Sequence, residues 1–178
     1  MADTHQPLAV SMGEPAGIGP DLVLRLYARR AELGLPPFIV YGHIDFLRAR
    51  AARLRLPIAL TESPPLDAGA HFDEALPIVH VDGLVPDKPG EPTPLSGKVV
   101  IESISRAVEA SLTGECRAIV TAPIHKAALY SAGFKYPGHT EFLAALCAQG
   151  ESVPTPVMML AHEALRVIPA TIHVPIRA

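Results

Sequence analysis

Short apolar runs alternate along this chain with longer stretches in which apolar residues recur every three or four positions. The short runs predict β-strands, and the periodic stretches predict α-helices. The predicted strands are residues 8–11, 38–41, 77–81, 118–121 (of buried type), 157–160 and 165–172. The predicted helices begin at Pro20 and cover residues 43–54, 97–112 and 140–148, and Gly114 is a C-terminal cap. Strands that alternate with helices indicate an α/β fold with a largely parallel sheet.

Composition narrows the class of protein without identifying it. The chain has 178 residues, 49% of them apolar, which is enough for an ordinary domain with a buried core. A net charge of −3 indicates neither a nucleic acid nor an anionic membrane as partner. Without a signal peptide or transmembrane pattern, we expect a cytoplasmic protein in which Cys116 and Cys147 are free, mostly buried thiols.

An arginine-rich segment and a proline-rich segment match no functional motif. Four arginines, interleaved with leucines, favour a solvent-exposed helix face, with an anion or partner patch as the alternative: Arg48, Arg50, Arg53 and Arg55. Residues 85–95 have four prolines and little periodicity, and we call them the Pro-rich loop.

Residues 13–20, the glycine-rich turn, follow a predicted strand and open a predicted helix. Backbone amides in such a turn can receive an anion, and a purely structural tight turn is the alternative. The spacing matches neither the dinucleotide-binding fingerprint nor the phosphate loop of nucleotide-binding proteins. Glu14, which is expected to be buried, favours a functional role.

Titratable residues follow the later strands. His125 and Lys126 come after a strand, and Lys126 is either an anion clamp or general acid, or a solvated residue at a helix start. His139 stands at a helix start, where it either binds an anion or is structural, and Thr140 is a candidate cap. His173 follows an apolar strand and is either a surface group or a metal ligand. His162 and Glu163 are interpreted as turn or surface residues.

These segments together resemble one family. SMGEPAGIGPD from Ser11, TAPIHK from Thr121, YPGHTEFL from Tyr136, and MML, LRV and His173 further on occur in the order and spacing of the 4-hydroxythreonine-4-phosphate dehydrogenases of pyridoxal phosphate biosynthesis. The resemblance covers essentially the whole chain. It implies an α/β/α sandwich of the isocitrate and isopropylmalate dehydrogenase type with two lobes. Residues 1–120 would form the first lobe without its C-terminal return, and residues 121–178 would begin the second.

The resemblance also implies chemistry. The family oxidises and decarboxylates 4-phosphohydroxy-L-threonine to 3-amino-2-oxopropyl phosphate with NAD and a divalent metal (Zn, Mg or Co), as a homodimer. His139 and Thr140 would bind substrate, and His173 would be one of three metal-binding histidines. Glu14, His125 and Lys126 would lie near the site.

The resemblance implies that part of the family site lies outside these 178 residues, including two of the metal-binding histidines. We therefore expect an incomplete enzyme that is inactive or nearly so alone. The alternatives are a threonate or erythronate 4-phosphate dehydrogenase, and a non-catalytic remnant that binds a phosphorylated ligand.

Overall fold

The structure is a computed structural model, and it describes residues 6–150 and 152–171. The chain forms two compact units, Met1–Tyr136 and Pro137–Ala178. The predicted boundary between the family's lobes, near residue 120, concerns the whole family fold and stays a prediction. No helix in the described ranges is long and apolar enough to cross a membrane.

The first unit is built around a parallel five-stranded sheet. Its strands are β1 (Leu8–Ser11), β2 (Phe38–Gly42), β3 (Ala59–Glu62), β4 (Ala75–His80) and β5 (Ala118–Thr121). Their order across the sheet is β3-β4-β2-β1-β5, and every pairing is parallel. The helices are α1 (Gly19–Ala28), α2 (Ile44–Arg53), α3 (Ala68–His71), α4 (Gly97–Leu112) and α5 (Lys126–Ser131), with 3₁₀ turns at Pro65–Asp67 and Pro94–Ser96.

Helices cover both faces of this sheet, because alternate residues of its strands are apolar on both sides. On one face Val10 and Val40 pack with Leu24 of α1 and Leu47 of α2. On the other face a smaller cluster joins the sheet to α3 and α4, and its members include Ala9, Ile39, Tyr41, Ala68 and Ala107. The three layers confirm the predicted α/β/α arrangement.

The helices predicted in the first unit agree closely with the structure, although the short helix α3 was not predicted. The helix predicted from Pro20 begins at Gly19, α2 lies within residues 43–54, and α4 has the predicted bounds. Gly114 follows α4 with φ +80°, the left-handed conformation of a C-terminal cap. The strand prediction was wrong in two respects in this unit. It missed β3, and it described β5 as buried, although β5 is an edge strand whose Val120 is 47% exposed.

The second unit contains α6 (His139–Leu146) and an antiparallel hairpin of β6 (Leu160–His162) and β7 (Leu165–Val167). The strand predicted at 157–160 was misplaced, because β6 begins only at Leu160 and continues to His162. The strand predicted at 165–172 was too long, because β7 ends at Val167, and residue 172 lies outside the described residues. The pairing stops at Leu160 opposite Val167, because Ile168 and Pro169 follow β7. Proline lacks an N–H and restricts the backbone of the residue before it, so within the described ranges β7 offers no strand partner to residues 157–159.

Candidate functional site

The carboxyl ends of β1 and β5 form the best candidate site in the first unit. These two strands are parallel neighbours. The chain leaves β1 for α1, on the face of the sheet that α2 also covers, and leaves β5 for α5, which packs beside α4 on the other face. Connections that diverge in this way open a crevice at the carboxyl edge, where α/β proteins bind ligands. The glycine-rich turn and residues 121–126 both lie there.

The glycine-rich turn packs directly against the segment that follows β5. Gly13 has φ +74°, and a Cβ atom placed on it would lie 2.7 Å from both the Ala122 Cβ and the Pro123 carbonyl oxygen. The Glu14 amide donates to the Pro123 carbonyl at 2.9 Å. Glycine is required at position 13 by both the backbone conformation and this close approach.

The buried Glu14 accepts hydrogen bonds from two backbone amides of the turn. Its Oε1 accepts a hydrogen bond from the Ala16 amide at 3.0 Å, and its carbonyl accepts one from the Gly17 amide at 3.0 Å. The amides of Glu14, Ala16 and Gly17 are therefore all engaged with acceptors of the protein. At these three amides the structure favours the structural alternative over anion binding.

His125 and Lys126 begin α5 at the same edge. His125 is the N-cap, and its Nδ1 accepts a hydrogen bond from the Ala128 amide at 3.2 Å. Lys126 is the first helical residue and is exposed, as the solvated alternative expects. The Ala122 amide donates to Ser11 Oγ at 3.3 Å, which fixes the start of this segment to the end of β1.

The prediction for Arg50 was wrong. It is 1% exposed, whereas the arginine run was expected to form a solvated face. Its Nη1 donates to Asp21 Oδ1 at 2.6 Å, its Nε to Asp87 Oδ1 at 2.7 Å, and its Nη2 to the Pro15 carbonyl at 2.7 Å. One buried guanidinium thus joins α2 to the glycine-rich turn, to α1 and to the Pro-rich loop.

A sequence signal for Arg50 did exist. It lies three residues after Leu47 and four after Phe46, on the buried stripe of the helix. A buried arginine needs acceptors that satisfy its charge and its N–H groups. Asp21 and Asp87 could not be assigned to that role from sequence, because they are distant along the chain.

In the second unit, His139 and Thr140 stand at the start of α6. Gly138 is the N-cap, and no side chain caps the helix, so the interpretation of Thr140 as a cap was wrong. Thr140 is exposed instead. His162 ends β6 and accepts a hydrogen bond from the Ala164 amide at 3.4 Å, while Glu163 lies in the turn, as predicted.

The residues of the described ranges do not form a metal centre by themselves. No group of three or more His, Cys, Asp or Glu side chains within residues 6–150 and 152–171 is arranged to hold an ion. His173, the predicted ligand, lies outside the described residues. Its role as a metal ligand therefore stays a prediction.

Fold and site together define a class of protein. The first unit is a three-layer α/β/α domain with two loop motifs at a topological switch point, which is the architecture of enzymes that bind ligands at the carboxyl edge of a parallel sheet. Residues 35–178 match the family model of the pyridoxal phosphate biosynthetic protein PdxA, and the chain belongs to that family.

Individual relatives agree with this membership. The chain is 46% identical over 170 residues to a 4-hydroxythreonine-4-phosphate dehydrogenase of Xanthobacter autotrophicus, covering 95% of this chain and 49% of the relative. The crystal structure of a 4-hydroxythreonine-4-phosphate dehydrogenase from Klebsiella pneumoniae has a TM-score of 0.80 and 35% identity over 97% of this chain and 52% of its own. One from Burkholderia phymatum has a TM-score of 0.84 and 30% identity, covering 96% and 51%.

The chain spans about half the length of the curated relatives it matches. The activity of these relatives as whole proteins is therefore proposed, and not shown, for this chain.

Proposed function

We propose that this chain is part of an NAD-dependent dehydrogenase that oxidises and decarboxylates 4-phosphohydroxy-L-threonine to 3-amino-2-oxopropyl phosphate. The observation that supports it is the family match over residues 35–178, in a fold whose two loop motifs meet at one switch point. NAD⁺ accepts the hydride released when the substrate hydroxyl is oxidised. In this proposal the protein is cytoplasmic and homodimeric, and it binds neither nucleic acid nor membrane.

The proposed roles of the residues follow the family resemblance. His139 and Thr140 bind the phosphorylated substrate, and His173 contributes one ligand to a divalent metal (Zn, Mg or Co). The start of α6 suits an anion, because the backbone amides and the dipole of a helix N-terminus favour negative charge. By the same resemblance, Glu14, His125 and Lys126 are proposed to lie near the site. The first lobe is proposed to include residues 1–120 and the second to begin at residue 121.

Internal hydrogen bonds of the first unit support structural roles for two of these residues. Glu14 Oε1 and His125 Nδ1 accept hydrogen bonds from backbone amides, so both side chains help to set the shape of the loops that carry them. Lys126 is an exposed cation at this edge and is proposed to attract the anionic substrate.

The test is NADH formation by the purified chain, followed by absorbance, with 4-phosphohydroxy-L-threonine, NAD⁺ and added divalent metal. Activity that is lost in His139→Ala and Thr140→Ala, and kept in the exposed control Glu163→Gln, supports the proposal. Threonate and erythronate 4-phosphates, assayed in parallel, separate the two dehydrogenase alternatives. Binding of the phosphorylated ligand without NADH formation would instead support the remnant alternative.

A further inference from the structure

We infer that Arg50 is a positioning residue of the carboxyl-edge site, and that through it the Pro-rich loop becomes part of that site. Its relevance to catalysis rests on the proposed function. The physical coupling can be measured without any activity.

The first step is the geometry of the guanidinium. All three of its nitrogens are engaged, and the acceptors belong to three different segments: Pro15 in the glycine-rich turn, Asp21 in the first turn of α1, and Asp87 in the Pro-rich loop. Since the planar fork of arginine fixes the directions of its donors, it fixes these acceptors relative to one another. Lysine has one nitrogen at this distance from the backbone and cannot span the same three acceptors.

The second step is a direct bond between two of these segments. The Gly90 amide of the Pro-rich loop donates to the Ala16 carbonyl of the glycine-rich turn at 2.8 Å. The loop is thus attached to the turn once through Arg50 and once directly. The two attachments lie at neighbouring residues of the turn, so a loop that moves away must break both.

The third step concerns charge. Arg50 lies between Asp21 and Asp87, and Asp87 also pairs with the exposed Arg53 at 3.2 Å. Removing the guanidinium would leave two partly buried carboxylates close together without their shared cation, which is far more costly than removing an exposed charge. The loop and the turn should therefore loosen together when Arg50 changes.

The experiment is hydrogen–deuterium exchange of the purified chain, read at peptides covering residues 13–20, 85–92 and 38–42. In Arg50→Lys we expect exchange to become about tenfold faster in both the turn and the loop, because local opening costs less, with a smaller change in β2. The control Arg53→Lys, which alters an exposed partner of the same Asp87, should leave all three segments within about twofold.

A second control separates positioning from general stability. Leu47→Ala removes a buried side chain of the same helix and weakens the whole core, so its effect should reach β2 as well as the turn and the loop. If Arg50→Lys shows that uniform pattern, the inference is wrong. If Arg50→Lys does not fold, Asp87→Asn decides, and faster exchange in the loop with an unchanged turn would overturn the coupling.

Activity provides a further comparison. Where the wild type forms NADH, Arg50→Lys should lower kcat/KM about tenfold through misplacement of the site, while Leu47→Ala should keep it within about twofold at a temperature where it stays folded. A wild type that forms no NADH is the result expected of an incomplete enzyme, and the exchange pattern alone then decides whether Arg50 couples the loop to the turn.

Discussion

The amide of Glu14 donates a 2.9 Å hydrogen bond to the carbonyl of Pro123, and this bond joins the turn after β1 to the segment after β5. Each of the two segments was ambiguous as a sequence motif. The parallel pairing of β1 with β5 brings them together, because the carboxyl ends of neighbouring parallel strands share one edge. The site is therefore a consequence of strand order.

The close approach at Gly13 gives the first prediction. Gly13→Ala should destabilise the protein by about 2–4 kcal/mol for two reasons. Alanine would have to adopt the left-handed backbone conformation of Gly13, and its Cβ would clash with Ala122 and Pro123. Gly34 is the matched control, since it has φ +58° with no atom within 4 Å of an added Cβ. Gly34→Ala should cost about 1 kcal/mol. Urea unfolding measures both, and equal costs would show that contact with the β5 segment is unimportant.

The end of α2 gives a stabilising prediction. The Leu56 amide donates to the Ala51 carbonyl and the Arg55 amide to the Ala52 carbonyl, both at 3.0 Å, which is a Schellman cap. Its left-handed position is normally glycine, yet Arg55 occupies it with φ 55°. Arg55→Gly should therefore raise the free energy of unfolding by about 0.5–1 kcal/mol.

The control for Arg55→Gly is the same substitution inside the helix. Ala52→Gly, at an exposed helical position, should lower the free energy of unfolding by about 0.5–1 kcal/mol. Thermal and urea unfolding of both variants test the pair. A loss of stability in Arg55→Gly would mean that the arginine side chain contributes more than its backbone strain costs.

Local patterns predicted the helices well, because their signals lie within the helices themselves. Apolar periodicity and a following glycine were enough for α4 and its cap. The edge strand β3 was missed, since Ala59–Glu62 is short, half exposed and not clearly alternating. Such a strand is specified by its partner β4 rather than by its own sequence.

The candidate site was only partly predictable. The glycine-rich turn and His125–Lys126 could be selected, but not the Arg50 network, whose acceptors are far apart in sequence. The hydrogen bonds that the amides of the turn make within the protein could not be predicted either, because residue type alone does not determine them. The sequence therefore identified the two segments of the site, but their hydrogen bonds depend on tertiary packing.

The buried pair of Tyr41 and Cys116 predicts alkaline destabilisation. Burial raises the pKa of the Tyr41 hydroxyl and also that of the Cys116 thiol, above ordinary values of 10.0 and 9.0. The folded state therefore keeps protons that the unfolded state loses, and the unfolded state binds fewer protons above about pH 9. The contribution of these two groups to the free energy of unfolding is complete below their unfolded pKa values and decreases as the pH rises above them.

Urea unfolding between pH 7 and pH 11 measures this effect. The wild type should lose up to about 1.4 kcal/mol per pH unit for each such group above its unfolded pKa. Tyr41→Phe should make the free energy of unfolding fall less steeply with pH above pH 10, whereas Tyr130→Phe, at an exposed position, should not change this slope. A wild-type stability that stays constant to pH 11 would contradict the prediction.

The edge of β5 predicts self-association of this chain in solution. Val120 on the strand and Leu22 and Leu26 on α1 line an open apolar groove of about 280 Å³, and each is more than 40% exposed. An edge strand without charged side chains, such as β5 in the described sheet, is a template for pairing with another chain. At about 100 µM we expect light scattering after size-exclusion chromatography to show species larger than a monomer.

Substitution of the edge tests whether β5 causes this association. Val120→Lys should shift the chain toward monomer, because a lysine on the edge opposes strand pairing. Leu84→Lys is the matched control, since Leu84 is an exposed leucine in the loop after β4 and does not line the groove, and it should leave the association unchanged. A monodisperse wild-type monomer, or equal effects of the two lysines, would show that this edge does not drive association.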